Sequence, residues 1–488
     1  MLELPLYLKL AGITYHEMCL QERTGIKFNA EEAKRLVQEL TAKMEAIQAD
    51  VEPKLPKRKP LKGELKAMTP PKKQFKQDGT PSAMALKWFD EVVDRGVIPG
   101  VHTWHGIKGD AIVQLPHHEP IIQLIPMKLG NQQQLKDHLL GIGWQPTFWN
   151  YKTEKGNGGK PQKVRDSNGR YIKTTPKLQE GGKICPNLKL LGEKAEIAKP
   201  ILEWLTYRHR RSQIQGWLDN PRLSVDGRLS ASSSGLTNTK RQKHSVVVNV
   251  PRAGSVLGEE MRSLFTVPEG KVLVGYDASS LEDRVKAHYL YNIDGGELAK
   301  KVADGTYDPH QESADVWGLP RSKAKNGNYA LQYLCQPPTL AKTLGCSIPE
   351  AEEYHKLYWE LNWALDEFVN QVKRAWVNNN KKFVRTIDHS KIYTRYEHSI
   401  ANAVMQSTGA KIMDMSYAYL RKWLKGAKID AKRVLYQHDE IQLECNPEDA
   451  ERVGELGCES IRKAGEFFKL NCPMDAQYAV GTSWSDTH

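Results

Sequence analysis

The chain is 488 residues long, with 70 Lys and Arg against 58 Asp and Glu and a formal net charge of +12. That length exceeds one typical core and predicts two or three subdomains; the basic excess suits a polyanionic partner such as nucleic acid, though basic structural proteins share it. The 7 cysteines are odd in number and scattered, which excludes a disulfide framework or a close-spaced zinc site and predicts reduced thiols, and residues 1–13 carry Glu3 and Lys9 without a basic leader, which argues against a signal peptide or membrane span.

Leu36, Val37, Leu40, Met44 and Ile47 recur at helical spacing and Asn29 stands as N-cap before Glu31-Glu32, so residues 6–50 are read as helix. Residues 51–80 break the pattern with five prolines and nine Lys/Arg against three acids, an extended and mobile basic segment. A solvated linker and a DNA or partner contact both fit it. Residues 81–130 are expected to form a small insertion, with Trp88 and Phe89 on a helix and 112–115 on a strand. A polar helix over 131–150 leads to Gly143-Trp144, a Gly/Lys-rich loop covers 152–183, and a long helix rich in Arg (Arg208, Arg210, Arg211) covers 188–218. After the turn signal Asp226-Gly227 strands alternate with helices to about residue 310, residues 310–390 are mainly helical, and 391–488 return to mixed structure. The pattern predicts an α+β protein with a sheet-based centre and a helical insertion. Trp484 predicts an ordered ending over 481–488.

Two acidic positions carry the chemistry. In RVLYQHDEIQLE, residues 433–444, two runs of β-formers flank a polar turn, which reads as a hairpin presenting His438, Asp439 and Glu440 at its tip. In KVLVGYDASSLEDR, residues 271–284, a buried-type strand ends at Asp277 and a helix begins. Two carboxylates on adjacent strand ends can hold a pair of Mg²⁺ ions for phosphoryl transfer; a structural ion network is the plainer alternative. Between them, Pro320 opens a helix and Pro337-Pro338 stop it, so Arg321, Lys325, Tyr329 and Tyr333 lie four apart along one face. Such a stripe can grip a triphosphate with its cations and support a base with its aromatics, although basic and aromatic helix faces are common.

In this order, strand-to-helix turn, helix, hairpin, the motifs resemble those of family A DNA polymerases, and the sequence is similar to the phage branch of that family over nearly its whole length. Asp277 through Arg284 resembles the first catalytic motif, the stripe from Arg321 resembles the nucleotide-binding helix of the fingers, and His438-Asp439-Glu440 resembles the last motif. Secondary similarities are Arg241-Gln242-Lys243-His244 with Asn249-Val250-Pro251, then His310, then Arg395 with Asn402 and Gln406, and the ending from Trp484.

The resemblance implies a right-hand polymerase fold. It places a thumb region over 1–225, including a basic insertion at about 51–130, a palm over 226–309 and 391–488, and helical fingers over 310–390. It also implies template-directed DNA synthesis from dNTPs on primer-template DNA. Asp277 and Asp439, with Ala278, would hold two Mg²⁺ ions, Mn²⁺ being a substitute. His310, Arg321, Lys325 and Tyr329 would bind the dNTP, Glu282 would select the sugar, and Tyr333 would meet the templating base. Arg241, Arg395, Asn402, Gln406 and His438 would contact primer-template, with Glu440 as a supporting acid or a turn residue. A location in the cytoplasm, the host's if phage-encoded, follows from the same likeness, which leaves open whether a separate exonuclease or processivity factor is a partner.

Where the family usually has Gly after positions 329 and 333, this chain has Ala330 and Leu334. No clustered acids in the first 200 residues replace the usual exonuclease domain, so no 3′-5′ proofreading is expected of this polypeptide. Two other readings stand beside this one. A single-subunit RNA polymerase would lack a bulky acid at 282, and a catalytically dead DNA-binding subunit would have no need to retain Asp277, Asp439, Arg321 and Lys325.

Overall fold

The computed structural model describes residues 4–58, 124–156, 161–181, 183–332, 334–394 and 396–487, with isolated stretches between 72 and 92 and at 159. Tyr333, Arg395, the expected strand at 112–115 and most of 59–74 lie outside the described residues; the helix expected around Trp88 and Phe89 is present as Ala83–Val92. Contacts divide the chain into two compact units, Met1–Lys34 with Ile214–His488, and Arg35–Gln213. The first 34 residues thus cluster with the C-terminal half, whereas the sequence reading grouped them with everything up to 225. Among the described residues no helix is long and apolar enough to cross a membrane.

Helix α1 (Leu6–Thr24) ends where Gly25 takes a φ of 64°. A short strand, Ile26–Phe28, follows before α2 (Ala30–Val51), so the continuous helix expected over 6–50 is broken once. The break has one local and one distant cause: glycine takes a positive φ without steric cost, and the buried Ile26 and Phe28 pair with short strands far along the chain. Asn29 caps α2 as expected, its Oδ1 accepting from the Glu32 amide at 3.1 Å.

The larger unit is built on a four-stranded antiparallel sheet. Strand β1 (Val272–Ala278) runs into α3 (Leu281–Asp294), then α4 (Pro309–Trp317), α5 (Arg321–Gln332) and α6 (Ile400–Ala427). Strands β2 (Lys432–Gln437) and β3 (Glu440–Cys445), helix α7 (Ala450–Phe467) and strand β4 (Ala476–Gly481) complete it. The strand order is β2-β3-β1-β4, which puts β1 between strands more than a hundred residues later in the chain. Leu10 of α1, Val274 and Tyr276 of β1, Ile412 and Leu420 of α6, Ile441 and Leu443 of β3, and Val453 and Ile461 of α7 share one core. Each such side chain taken from water contributes roughly 1.5–3 kcal/mol before entropy is counted. Gly275 is required in β1: a Cβ there would lie 2.3 Å from the Gln442 side chain and 2.6 Å from the Thr487 carbonyl.

Helices α4 and α5, with Pro337–Leu344 and Ile348–Leu361, enclose a separate core of Trp317, Ala324, Leu331, Leu340, Leu344 and Tyr358. Pro337 and Pro338 do more than stop α5; they occupy the first turn of the next helix, where a missing N–H costs nothing.

The 35–213 unit has its own core, with Val51, Leu129, Leu135, Leu139, Trp144, Leu188, Ile201 and Leu205 nearly inaccessible to water. Two expectations change here. The helix over 188–218 is two helices, Pro186–Lys194 and Ala198–Leu218, and the loop over 152–183 is a meander of short strands.

Candidate active site

The sheet register creates the site. Asp277 stands opposite Glu440, and the Ala278 amide donates to the Asp439 carbonyl at 3.1 Å, so the two acidic positions sit on neighbouring strand ends. The turn between β2 and β3 is only His438-Asp439, because Gln437 pairs with Glu440. His438 has a φ of 63°, as a tight two-residue hairpin turn demands. Glu440 is therefore not at the tip but is the first residue of β3, and it is buried. Its Oε1 accepts from the Trp484 indole at 2.5 Å and from the Gln442 amide at 2.6 Å, while Gln442 accepts from Thr487 at 2.8 Å. This places Glu440 as a buried support beneath the hairpin and accounts for the ordered ending, since Trp484 is fully buried.

Desolvation raises the Asp439 carboxyl above its ordinary range, against the opposing pull of its own backbone, His438 and Arg241. Desolvation also lowers the imidazole of His438, and Arg241 lowers it further. His244 lies against both: its ring centroid is 5.8 Å from that of His438 and 6.2 Å from that of Tyr436, and its pKa falls to about 4, chiefly through burial. The donor set offered by Asp277, Asp439 and the Ala278 carbonyl is all oxygen, which suits a hard cation such as Mg²⁺. Among the described residues no three His, Cys, Asp or Glu side chains converge as a metal cage, so the remaining ligands would come from water and substrate, the usual habit of Mg²⁺.

Glu282 stands in the first turn of α3, exposed, with its carboxylate accepting from Arg241 at 2.8 Å. Arg284, two residues on, is buried and holds the turn after Asp277, its Nε donating to the Ser279 carbonyl at 2.8 Å. Glu282, Gln332, Asn402 and Gln406 line one small cavity, with Asn402 and Gln406 one turn apart on α6.

Arg321 and Tyr329 are exposed and Lys325 half-buried on α5, while Asn328 and Gly327 face inward. Asn328 donates to the Pro309 carbonyl at 2.8 Å and to Ser313 at 2.7 Å, and a Cβ on Gly327 would meet Trp317 at 2.8 Å, so α5 is pressed against α4 and its polar stripe is turned out. The His310 ring lies 5.0 Å from that of Tyr329, and its Nδ1 is buried without a hydrogen-bond partner. Burial, then Lys325 and Arg321, hold His310 below the usual histidine range. Asp308, not singled out from the sequence, bonds Arg321 at 2.9 Å and caps α4 through the amides of His310 and Gln311. The signal was present: Asp-Pro-His opening a helix is an N-cap pattern. The structure thus gathers Asp277, Ala278 and Asp439 at one end of the sheet, Arg241, Glu282, Asn402, Gln406 and His438 around α3, α6 and the hairpin, and His310, Arg321, Lys325 and Tyr329 across α4 and α5.

The family described as DNA polymerase family A matches residues 172–486, and the chain belongs to that family. The DNA-directed DNA polymerase of Escherichia phage Phieco32 is 24% identical over 381 residues, covering 61% of this chain and 61% of that protein. That of Enterobacteria phage T3 is 27% identical over 328 residues, covering 62% of this chain and 44% of its own length. The POL domain of Pol1 from M. smegmatis, solved in complex with DNA primer-template and dNTP, shares the fold at 16% identity with a TM-score of 0.66, over 97% of this chain and 69% of that chain. The chain therefore spans less than two thirds of these phage relatives' own length.

Proposed function

We propose that this chain is a DNA-directed DNA polymerase that adds deoxynucleotides to a primer 3′-OH opposite a template. The observation that carries the reading is the register that sets Asp277 beside Asp439 at one end of the sheet. In this reading the sheet with its helices is the palm, residues 310–390 are the fingers, and the 35–213 unit supplies most of the thumb. Mg²⁺ ions held by Asp277, Asp439 and the Ala278 carbonyl supply Lewis acidity and charge neutralisation for phosphoryl transfer.

The chain's own groups do the rest. Arg321 and Lys325 hold the triphosphate, Arg321 by exchanging its Asp308 partner for phosphate oxygens. His310, whose ring lies against Tyr329, stands beside them at the same ligand. Glu282, which lines a cavity together with Asn402 and Gln406, fills the space of a ribose 2′-OH. Arg241, Asn402, Gln406 and His438 donate to minor-groove acceptors common to all base pairs, which tests pair geometry without reading sequence. Tyr333 and Arg395 keep the roles the family resemblance gives them.

Primer extension tests the reading. Asp277→Ala and Asp439→Ala should each lower single-turnover incorporation about a thousandfold, about 4 kcal/mol of barrier, with DNA affinity retained. Incorporation by either variant near the parent rate would refute the assignment.

A further inference from the structure

Lys286 carries its charge inside the protein. It lies in the second turn of α3 and is only 5% exposed, and an ammonium taken from water is costly unless it is paired. Its Nζ donates to the Tyr307 hydroxyl at 2.6 Å, lies 3.3 Å from the Asp283 carboxylate one turn back, and stands 4.7 Å from the centroid of the Tyr307 ring. Burial works to lower the Lys286 pKa, but Tyr307 and Asp283 outweigh it and raise that pKa above the ordinary lysine range, so the ammonium stays charged.

The Lys286–Tyr307 bond joins two parts of the candidate site. On one side, Lys286 and Asp283 line the same small cavity as Glu282, Asn402 and Gln406. On the other, Tyr307 packs half-buried against Ala299 and Val302 and directly precedes Asp308, which caps α4 through the amides of His310 and Gln311 and bonds Arg321 at 2.9 Å. The chain leading to Tyr307 gives little guidance of its own, because residues 303–306 are exposed and Gly305 turns the backbone with a φ of 70°. The bond from Lys286 therefore fixes where α4 begins relative to α3. A well-packed apolar pair of the same shape would serve stability as well or better, so stability alone does not account for a charge at this place.

We propose that Lys286 is a positioning residue for the incoming nucleotide: by holding Tyr307 it sets the start of α4, and through Asp308 it sets the reach of Arg321 toward the triphosphate. This deepens the polymerase reading and rests on it. Arg321 exchanges Asp308 for phosphate oxygens, so the place of the Asp308 cap decides how the guanidinium is aimed before the ligand arrives. With the Tyr307 anchor gone, α4 can shift and the aim is lost. Asp277 and Asp439 stand on the sheet and keep their register, so the loss falls on nucleotide binding and spares the chemical step.

The test is single-nucleotide incorporation by the full chain on primer-template, with KM for dNTP read apart from kcat. K286M keeps a long unbranched side chain without the charge. Y307F keeps the ring and its packing but withdraws the hydroxyl, so it decides the matter should K286M fold poorly. Each should raise KM by about tenfold with kcat held within about twofold, and K286M/Y307F should be no worse than K286M alone, as two ends of one bond require. In an Arg321→Ala background K286M should raise KM by less than about twofold, because the residue it positions is gone. A purely structural role would instead lower the urea midpoint and leave KM in place. An unchanged KM in Y307F overturns the proposal, as does a fall in kcat as large as the rise in KM, or full additivity with Arg321→Ala. A parent chain that extends no primer overturns the polymerase reading and this inference with it; an active parent with any of those three results overturns the inference alone.

Discussion

Leu334 follows the last turn of α5 with a φ of 56°, a left-handed conformation in which a side chain with a Cβ is strained. The family's usual glycine at this place is gone, yet the backbone it suits has been kept. Leu334 is half-buried, so replacing it removes some apolar contact while relieving about 1–2 kcal/mol of strain if the newcomer is glycine. Leu334→Gly should therefore be more stable than Leu334→Ala by about 1 kcal/mol, the reverse of the order inside a helix, as read from urea midpoints. Glu282 gives a second residue-level expectation. Its alanine variant opens the cavity and also frees Arg241, its partner at 2.8 Å. Ribonucleotide incorporation should rise relative to deoxynucleotide incorporation by about tenfold or more, a barrier change of about 1.4 kcal/mol. An unchanged ratio in competition assays would remove Glu282 from sugar selection.

The hairpin of β2 and β3 is held from one side by His244, whose pKa of about 4 lies well below the ordinary 6.5. The folded protein keeps this imidazole neutral while the unfolded chain protonates it below about pH 6.5. Unfolding therefore takes up a proton, and stability is full above pH 6.5 and declines as pH falls toward 4, by about 3 kcal/mol at most. His244→Gln should flatten that acid limb in urea titrations at pH 4, 5, 6 and 7. A parallel shift at every pH would mean that His244 contributes packing alone. The elements were legible in the sequence where a local signal was strong: β1 ending near Asp277, the Asn29 cap, Pro320 before α5, and the β2–β3 hairpin. They were misread where pairing over distance decides. Nothing local says that Ile26–Phe28 will find a strand partner near residue 228 or 265, and the 152–183 segment has the composition of a loop although its strands pair with one another. Glu440 looked like a turn residue because its partner Trp484 lies 44 positions away.

Across the whole molecule, the two acids were recognisable as a pair from their motifs, but the support beneath them was not, because it is assembled from opposite ends of the larger unit. Leu10 near the start shares the sheet's core, and Trp484 near the end anchors Glu440 while the Arg262 guanidinium lies 4.3 Å from its ring. Trp484→Phe should keep most of the packing but withdraw the indole N–H, costing about 1.5–3 kcal/mol because the acceptor is a buried carboxylate. Trp484→Ala should cost about 3–5 kcal/mol through the added cavity. Equal unfolding midpoints for Trp484→Phe and the parent would show that the indole bond is dispensable. The strand order has a further consequence, in time rather than in space. Because β1 is flanked by β3 and β4, no stretch of chain near Asp277 can complete the sheet around it. The helices between can form early, since their contacts are local, but the loop from β1 to β3 must close before Asp277 and Asp439 become neighbours. During refolding, helical signal is therefore gained first and catalytic competence last, and any intermediate that has its helices but not this closure carries all the acids of the site without its chemistry.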